Sequence, residues 1–287
     1  MITVKKTLLV TGGSGYLGRH LAATAEKNVT VHTTYHANPA QAIAGISHKL
    51  DITDEAAVPE LIERLDPDAI IHTVAVNPGG YKTGMMAVNR DGSRNIAAAA
   101  VKIGARLVHV STDAVHSGNN APYADAAPPS PVTPYGQSKA AAEAAVRQTD
   151  PAAAIVRTSL IYGLQKIDRG TAGFAQRLQR GESLALFYDV IRQPVWVNTL
   201  AEALLKLAFE RSDFAGTLNV AGRQILSREA FGRRMLAWWG VGYENLISSA
   251  SAAKMGVNTP LDLRLDISKG EALLQMPFPG VDEVLNL

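Results

Sequence analysis

The sequence predicts an α/β fold: a doubly wound parallel sheet followed by a smaller C-terminal lid. Two observations predict it. Compact apolar runs alternate with segments of helical spacing through the first half of the chain. Those runs are near-continuously apolar, the pattern of strands covered by helices on both faces. Right-handed crossovers between them make the sheet doubly wound.

The elements follow in order. Residues 7–10 form a compact apolar run stopped by glycines, and 16–27 carry Leu17, Leu21 and Ala25 at helical spacing. Residues 29–34 are β-branched and end at the turn pair Asn38-Pro39, and 46–50 give a weaker strand. A helix over 55–65 turns Val58, Leu61, Ile62 and Leu65 inward, and 69–76 is an unbroken apolar strand closed by Pro78-Gly79-Gly80. A helix over 85–101 and a strand over 106–110 complete the alternation. The loop 121–134 holds five prolines, at 122, 128, 129, 131 and 134. A loop of that length beside a sheet edge borders an active site as readily as it links domains. Beyond it come a helix over 135–149 and a strand over 153–158. Further helices are expected near 171–180, 199–210 and 228–239, with a strand at 217–220. The division expected is residues 1–162 for the sheet domain and 163–287 for a smaller part that partly returns to the sheet.

Composition removes several function classes. Lys plus Arg number 28 against 26 Asp plus Glu, a formal net charge of +2, with no block of like charge, so neither nucleic acid nor a membrane surface is an expected partner. The absence of cysteine excludes disulfides, thiolate metal sites and cysteine nucleophiles. Seven histidines lie scattered without metal-binding spacing, so no metal is expected. The apolar N-terminal run is too short for a secretory signal, and no stretch reaches about 18 apolar residues. A cytoplasmic protein is expected, with a homodimer as the default assembly.

Chemistry concentrates in three places. Thr11-Gly12-Gly13-Ser14-Gly15-Tyr16-Leu17-Gly18 joins the first strand to the first helix. Glycines there let the backbone approach a pyrophosphate, and the helix N-terminus offers unpaired N–H groups, the dinucleotide-binding turn of a Rossmann sheet. After the second strand comes Thr33-Thr34-Tyr35-His36, without the carboxylate that holds the NAD ribose. A 2′-phosphate is therefore tolerated, with Arg19 or His36 as its partner, so NADP is preferred and NAD is the alternative.

Ser111-Thr112-Asp113 closes the strand at 106–110, and Tyr135-Gly136-Gln137-Ser138-Lys139 opens the following helix. Positions 135 and 139 share one helix face. An ammonium near a phenol favours phenolate, so Tyr135 becomes an acid able to protonate a carbonyl oxygen as hydride arrives. The Thr112 hydroxyl would hold the same oxygen. His72, inside an apolar strand, is read as a hydrogen-bonded core histidine, and Glu143 as a residue of the helix face.

Together these motifs resemble the extended short-chain dehydrogenase/reductase family, over nearly the whole chain. Within it the chain is most similar to the dTDP-4-dehydrorhamnose reductase group of nucleotide-sugar reductases. The glycine turn carries the resemblance, with Asp51-Ile52-Thr53-Asp54, Asn89-Arg90-Asp91-Gly92, Ser111 to Val115, Pro122-Tyr123 and Pro134 to Lys139. Glu143, Arg157-Thr158-Ser159 and Thr259 to Asp266 extend it.

The resemblance implies a set of roles. Tyr135 is the proton donor, Lys139 tunes it while binding the nicotinamide ribose, and Thr112 positions the keto oxygen. The glycines, including Gly12, Gly15 and Gly18, cover the pyrophosphate with Tyr16 and Leu17. Asp51 and Ile52 flank the adenine, Ala75 and Val76 line the nicotinamide side, and Asp113 and Val115 border the sugar.

Two departures leave the particular sugar open. Leu160 stands where the group often has Trp, and Asp189 is followed by Val190-Ile191-Arg192-Gln193-Pro194-Val195. Arg192 could reach a nucleotide diphosphate or sit solvated on its loop. The function expected is NADP-dependent reduction of a keto group on a nucleotide-linked sugar. Two alternatives stand beside it: an epimerase or dehydratase that retains NAD, and a non-catalytic NADP-binding regulatory subunit.

Overall fold

A computed structural model of the 287-residue chain describes residues 5–38, 44–77, 84–242 and 244–287. Pro39 and Pro78-Gly79-Gly80, expected to close two strands, lie outside the described residues. The chain divides into two compact units, each discontinuous in sequence.

The first unit holds the chain up to Thr112, then Pro134–Arg157 and Leu200–Leu218. Its elements alternate as the apolar runs require: β1 Thr7–Thr11, α1 Tyr16–Ala25, β2 Thr30–Tyr35, β3 Ile46–Lys49, α2 Ala57–Leu65 and β4 Ala69–His72. A π-helical turn, Ala87–Gly92, leads directly into α3 Ser93–Ile103, and β5 Arg106–Thr112 follows. Next come α4 Pro134–Thr149, β6 Ala154–Thr158, most of α6 Val197–Phe209 and the start of β11 Gly216–Val220.

The seven-stranded sheet has the order β11-β6-β5-β4-β1-β2-β3. Strand order reverses beside β1, where successive connections leave in opposite directions, so a crevice opens at the carboxyl ends of β1 and β4. The described ladders β1·β2, β1·β4, β2·β3 and β4·β5 are parallel, with Thr11 opposite His72 and His72 opposite His109. Leu9, Ile70, Leu107 and Ile155 turn one face toward α2, α3 and α4, where Val58, Ile62, Ile96 and Val146 complete a core. Leu8, Val10, Ile71 and Val108, of the opposite alternation, are also fully buried. Burial of both faces explains why these strands read as unbroken apolar runs.

Two elements differ from the sequence expectation. The strand expected over 69–76 stops at His72. From there Thr73 donates both its N–H and its hydroxyl to the Thr11 carbonyl, and the Asn89 side chain takes over both backbone groups of Val76. The helix expected over 85–101 begins at Met85 as expected, but its stretch Ala87–Gly92 is π-helical. Gly92 ends that turn against Ile52, whose Cδ1 lies 2.5 Å from where a Cβ would stand.

The second unit holds Asp113–Thr133, Thr158–Thr199 and Asn219–Leu287. It is built from two-residue and four-residue strands: β7 Ile161–Tyr162 with β10 Val195–Trp196, β9 Ile191–Arg192 with β12 Leu226–Ser227, and β8 Leu184–Phe187 with β13 Ile247–Ala250. Helices α5 Arg169–Gln179 and α7 Arg228–Trp238 each begin on a side-chain cap, from Asp168 and Ser227. The short helices α8 Ser268–Leu274 and α9 Val281–Leu285 close the chain. Separate small cores, one around Tyr162, Phe231 and Met235 and one around Leu178, Leu186 and Leu236, take the place of one large sheet. Trp238, 43% exposed, lies outside these cores, while Trp239 packs against the Tyr162 cluster.

The turn after β1 admits almost no side-chain volume. A Cβ on Gly18 would stand 2.2 Å from the Gly12 carbonyl oxygen, and one on Gly13 would stand 2.4 Å from Cβ of Thr33. Alanine inside a helix ordinarily gains about 1 kcal/mol over glycine, but overpacking against fixed backbone costs about 1–3 kcal/mol. Gly18→Ala should therefore lower the urea midpoint despite its better helix propensity; an unchanged or raised midpoint would show that the turn has slack.

Candidate active site

The glycine turn is shaped by its own backbone. Gly12 adopts φ +81°, a left-handed conformation that disfavours any Cβ, and its carbonyl accepts the Gly15 N–H at 2.8 Å. Gly15 is the N-cap of α1 and carries no capping side chain of its own. Tyr16 and Leu17 open the helix, and the Leu17 side chain is buried. Arg19, one turn in, has a buried Nε with no hydrogen-bond partner among the described residues. A bare backbone cradle at a helix N-terminus, with an unsatisfied guanidinium nitrogen one turn away, suits the phosphates of a dinucleotide.

His36 follows β2 and lies 3.5 Å from Asp51, which follows β3; both side chains are half or more exposed. The Asp51 carboxyl is held below its usual range, first by the Thr53 N–H, then by the Thr53 hydroxyl and the His36 ring. Ile52 is buried against Gly92, and its carbonyl accepts from Asn95.

Behind the turn, a chain of buried polar side chains runs through the unit. The Thr11 hydroxyl lies 2.6 Å from His72 Nδ1, and His72 Nε2 lies 3.0 Å from the Ser93 hydroxyl, which donates to the Asn89 carbonyl. Burial pushes the His72 imidazole down to about 3, with Lys139 adding to the effect, so the ring is neutral. Because Ser93 spends its proton on Asn89, His72 donates from Nε2 and accepts from Thr11 at Nδ1. The Asn89 amide then bonds both Val76 backbone groups and the Ser138 hydroxyl, which donates to the Tyr135 carbonyl. His72 is thus the hydrogen-bonded core residue expected. Val76 is fixed by Asn89, with Ala75 half-buried beside it.

Thr112 ends β5, and Tyr135 and Lys139 lie one turn apart on α4. Lys139 is 2% exposed; its ammonium donates to the Val110 carbonyl at 2.8 Å. Burial lowers it from 10.5 to about 8, opposed by the carboxylate of Glu143 one turn further along α4. Glu143, read from the sequence as a residue of the helix face, is itself fully buried. It accepts two bonds from Arg157 on β6, at 3.0 and 2.8 Å, and one from the Ser111 hydroxyl at 2.6 Å. An alanine-rich helix gave no sign that this face turns inward. One carboxylate thus ties α4, β5 and β6 together beside Thr112.

The residues expected near a substrate lie in the second unit. Asp113 and Val115 form a buried 3₁₀ turn just after β5. Asp113 accepts the Ser159 hydroxyl at 2.7 Å and lies 3.9 Å from Arg192. Arg192 is buried, not solvated, and donates to the carbonyls of Ile191 and Pro260. The fold therefore joins Asp113 and Arg192, far apart in sequence. No group of three or more metal-ligating side chains occurs among the described residues, and none of their helices is long and apolar enough to cross a membrane.

Removing one member of a buried ion pair costs about 3–5 kcal/mol, because the other charge is left unpaired. Glu143→Gln should therefore lower the unfolding free energy by that amount, read from urea denaturation, whereas a cost below about 1 kcal/mol would place the pair in contact with water.

A family model described as the RmlD substrate binding domain matches residues 6–285. The probable low-salt glycan biosynthesis reductase Agl14 of Haloferax volcanii is 30% identical, over 96% of this chain and 95% of that protein. The dTDP-4-dehydrorhamnose reductase of Mycobacterium tuberculosis is 32% identical, over 77% of this chain and 71% of that protein. The crystal structure of dTDP-4-dehydrorhamnose reductase from Bacillus anthracis, in complex with NADP, superposes with a TM-score of 0.81 at 24% identity, covering 99% of this chain and 98% of that one. With a Rossmann sheet, a bare glycine turn and Tyr135 and Lys139 on one helix, the chain belongs to the RmlD family of extended short-chain dehydrogenase/reductases.

Proposed function

We propose that the protein is an NADP-dependent reductase acting on a keto group of a nucleotide-linked sugar, similar to dTDP-4-dehydrorhamnose reductase. The observation that carries this reading is the buried Lys139 ammonium, held on the Val110 carbonyl one turn from Tyr135 and two residues from the Thr112 strand end. The reductase names of the relatives and the NADP in the Bacillus anthracis structure support it.

NADPH, when bound, supplies the hydride. Every other task falls to the chain. Gly12, Gly15 and Gly18, with Tyr16, Leu17 and the α1 N-terminus, receive the pyrophosphate. Arg19 or His36 pairs with the 2′-phosphate, Asp51 and Ile52 border the adenine, and Ala75 and Val76 border the nicotinamide. NAD remains the alternative cofactor. Thr112 holds the keto oxygen by a hydrogen bond, Tyr135 gives that oxygen its proton, and Lys139 favours the phenolate left behind. Asp113, Val115 and Arg192, with the 163–287 segment, are assigned to the sugar and its diphosphate. A cytoplasmic homodimer is the setting proposed.

A panel of nucleotide-linked keto sugars, offered with NADPH and NADH and followed by loss of reduced-nicotinamide absorbance, tests the reading. Turnover with NADPH is expected; no consumption with any sugar, or copurification of bound NAD, would favour the non-catalytic or epimerase alternatives. Tyr135→Phe should keep NADPH affinity while kcat falls about 10²–10⁴-fold, the usual worth of a general acid. Near-normal turnover in that variant would remove Tyr135 from the chemistry. The Lys139 ammonium is present below about 8 and lost above it. Rate and cofactor affinity should therefore both decline as pH rises through that value, and a flat profile to pH 9.5 would contradict the assignment.

A further inference from the structure

His109 stands on β5 beside Lys139 and opposite His72 of β4, and neither the acid–base pair nor the cradle accounts for it. Its side chain is fully buried, and its Nδ1 has no hydrogen-bond partner among the described residues. Among the described residues, the polar contact of its ring is made by Nε2, 3.4 Å from the Lys139 ammonium. The His72 ring is the aromatic neighbour, with centroids 5.3 Å apart. An orphaned buried donor costs about 1–3 kcal/mol, and leucine at this position would avoid that cost. The fold carries a penalty here for which packing gives no reason.

We propose that His109 is a positioning residue for Lys139: its Nε2 lone pair accepts a hydrogen bond from one ammonium N–H and, with the Val110 carbonyl, aims the remaining N–H along the helix face shared with Tyr135. An ammonium has three N–H groups and no lone pair, so it can only donate. Nε2 must then be the bare nitrogen, and the proton of the neutral ring sits on Nδ1, the atom without a partner. The two neighbouring histidines therefore hold opposite tautomers, His72 protonated on Nε2 and His109 on Nδ1. Burial pushes His109 well below its ordinary range, with Lys139 and His72 adding to it, so the ring stays a neutral acceptor across the working pH range. Among the described residues, His109 on β5, His72 on β4 and Glu143 on α4 act electrostatically with Lys139, Arg157 of β6 pairs with Glu143, and Tyr135 lies one turn before Lys139 on α4. Two fixed acceptors restrain an otherwise flexible four-carbon stem before any cofactor arrives.

This proposal rests on the reading of Tyr135 and Lys139 as the acid–base pair, so its test begins without substrate. Long-range ¹H–¹⁵N correlation on the free protein reports each histidine tautomer, and ¹³Cε-lysine resonances report the Lys139 titration. His109 is expected as the Nδ1–H form. In His109→Leu, the Lys139 titration should move to lower pH by more than half a pH unit, because the ammonium loses an acceptor. The alkaline edge of kcat should move with it. His109→Gln, which can return an oxygen near the Nε2 position, should restore both. A protonated Nε2 on His109 would overturn the proposal, as would a folded His109→Leu protein whose Lys139 titration is unmoved. Should the leucine variant fail to fold, the wild-type tautomer and the glutamine variant decide. The expected tautomers with no turnover on any keto sugar would uphold the His109–Lys139 contact and sink the functional reading instead.

Discussion

Where β1 and β4 end, the parallel ladder stops while the chain is still inside the protein. Backbone groups beyond that point must find partners other than a neighbouring strand, because an unpaired buried amide costs more than a hydrogen bond returns. The sequence meets this with side chains: Thr11, His72, Ser93, Asn89 and Ser138 pass hydrogen bonds from the glycine turn to the first turn of α4. The π-helical turn fits the same need, since its wider spacing coincides with Asn89 set against Val76 and Ser138. The cradle and the helix that carries Tyr135 and Lys139 are thereby joined through one continuous polar path. The path runs behind the glycine turn, through Thr11 at the end of β1.

Charge is distributed on the same principle. Among the buried ionisable groups of the first unit, Arg157 and Glu143 compensate each other, and His72 and His109 avoid charge by staying neutral. Lys139 keeps an ammonium with no direct ion pair among the described residues, and burial weakens its hold on the proton. Glu143 sits close enough along α4 to limit that loss while being bonded to Arg157 and Ser111. The result is a lysine poised to lose its charge within reach of neutrality, the condition that lets a cation influence a neighbouring acid.

Much of this was legible in the sequence, for identifiable reasons. Strands buried on both faces announce themselves as unbroken apolar runs, and a glycine turn between strand and helix marks the cradle. Tyr135 and Lys139 were visible because helical spacing alone puts them on one face. The end of β4 at His72 was hidden, because Thr73 to Val76 is as apolar as a strand while its hydrogen bonds go to side chains. Glu143 was hidden because a carboxylate on an alanine-rich helix ordinarily faces water, and only Arg157, fourteen residues on, reverses that. His109 offered no signal at all, since its meaning depends on a lysine from a different element.

The covalent path between the two units has a further consequence. The backbone passes from one to the other at 112/113, 133/134, 157/158, 199/200 and 218/219, five crossings in all. Neither unit is a contiguous stretch of sequence, so a fragment cut at residue 162 would forfeit α6 and the edge strand β11 of the sheet it was meant to isolate. The second unit meets the same constraint with short strands and separate small cores, so no single contiguous segment of the chain carries either unit by itself.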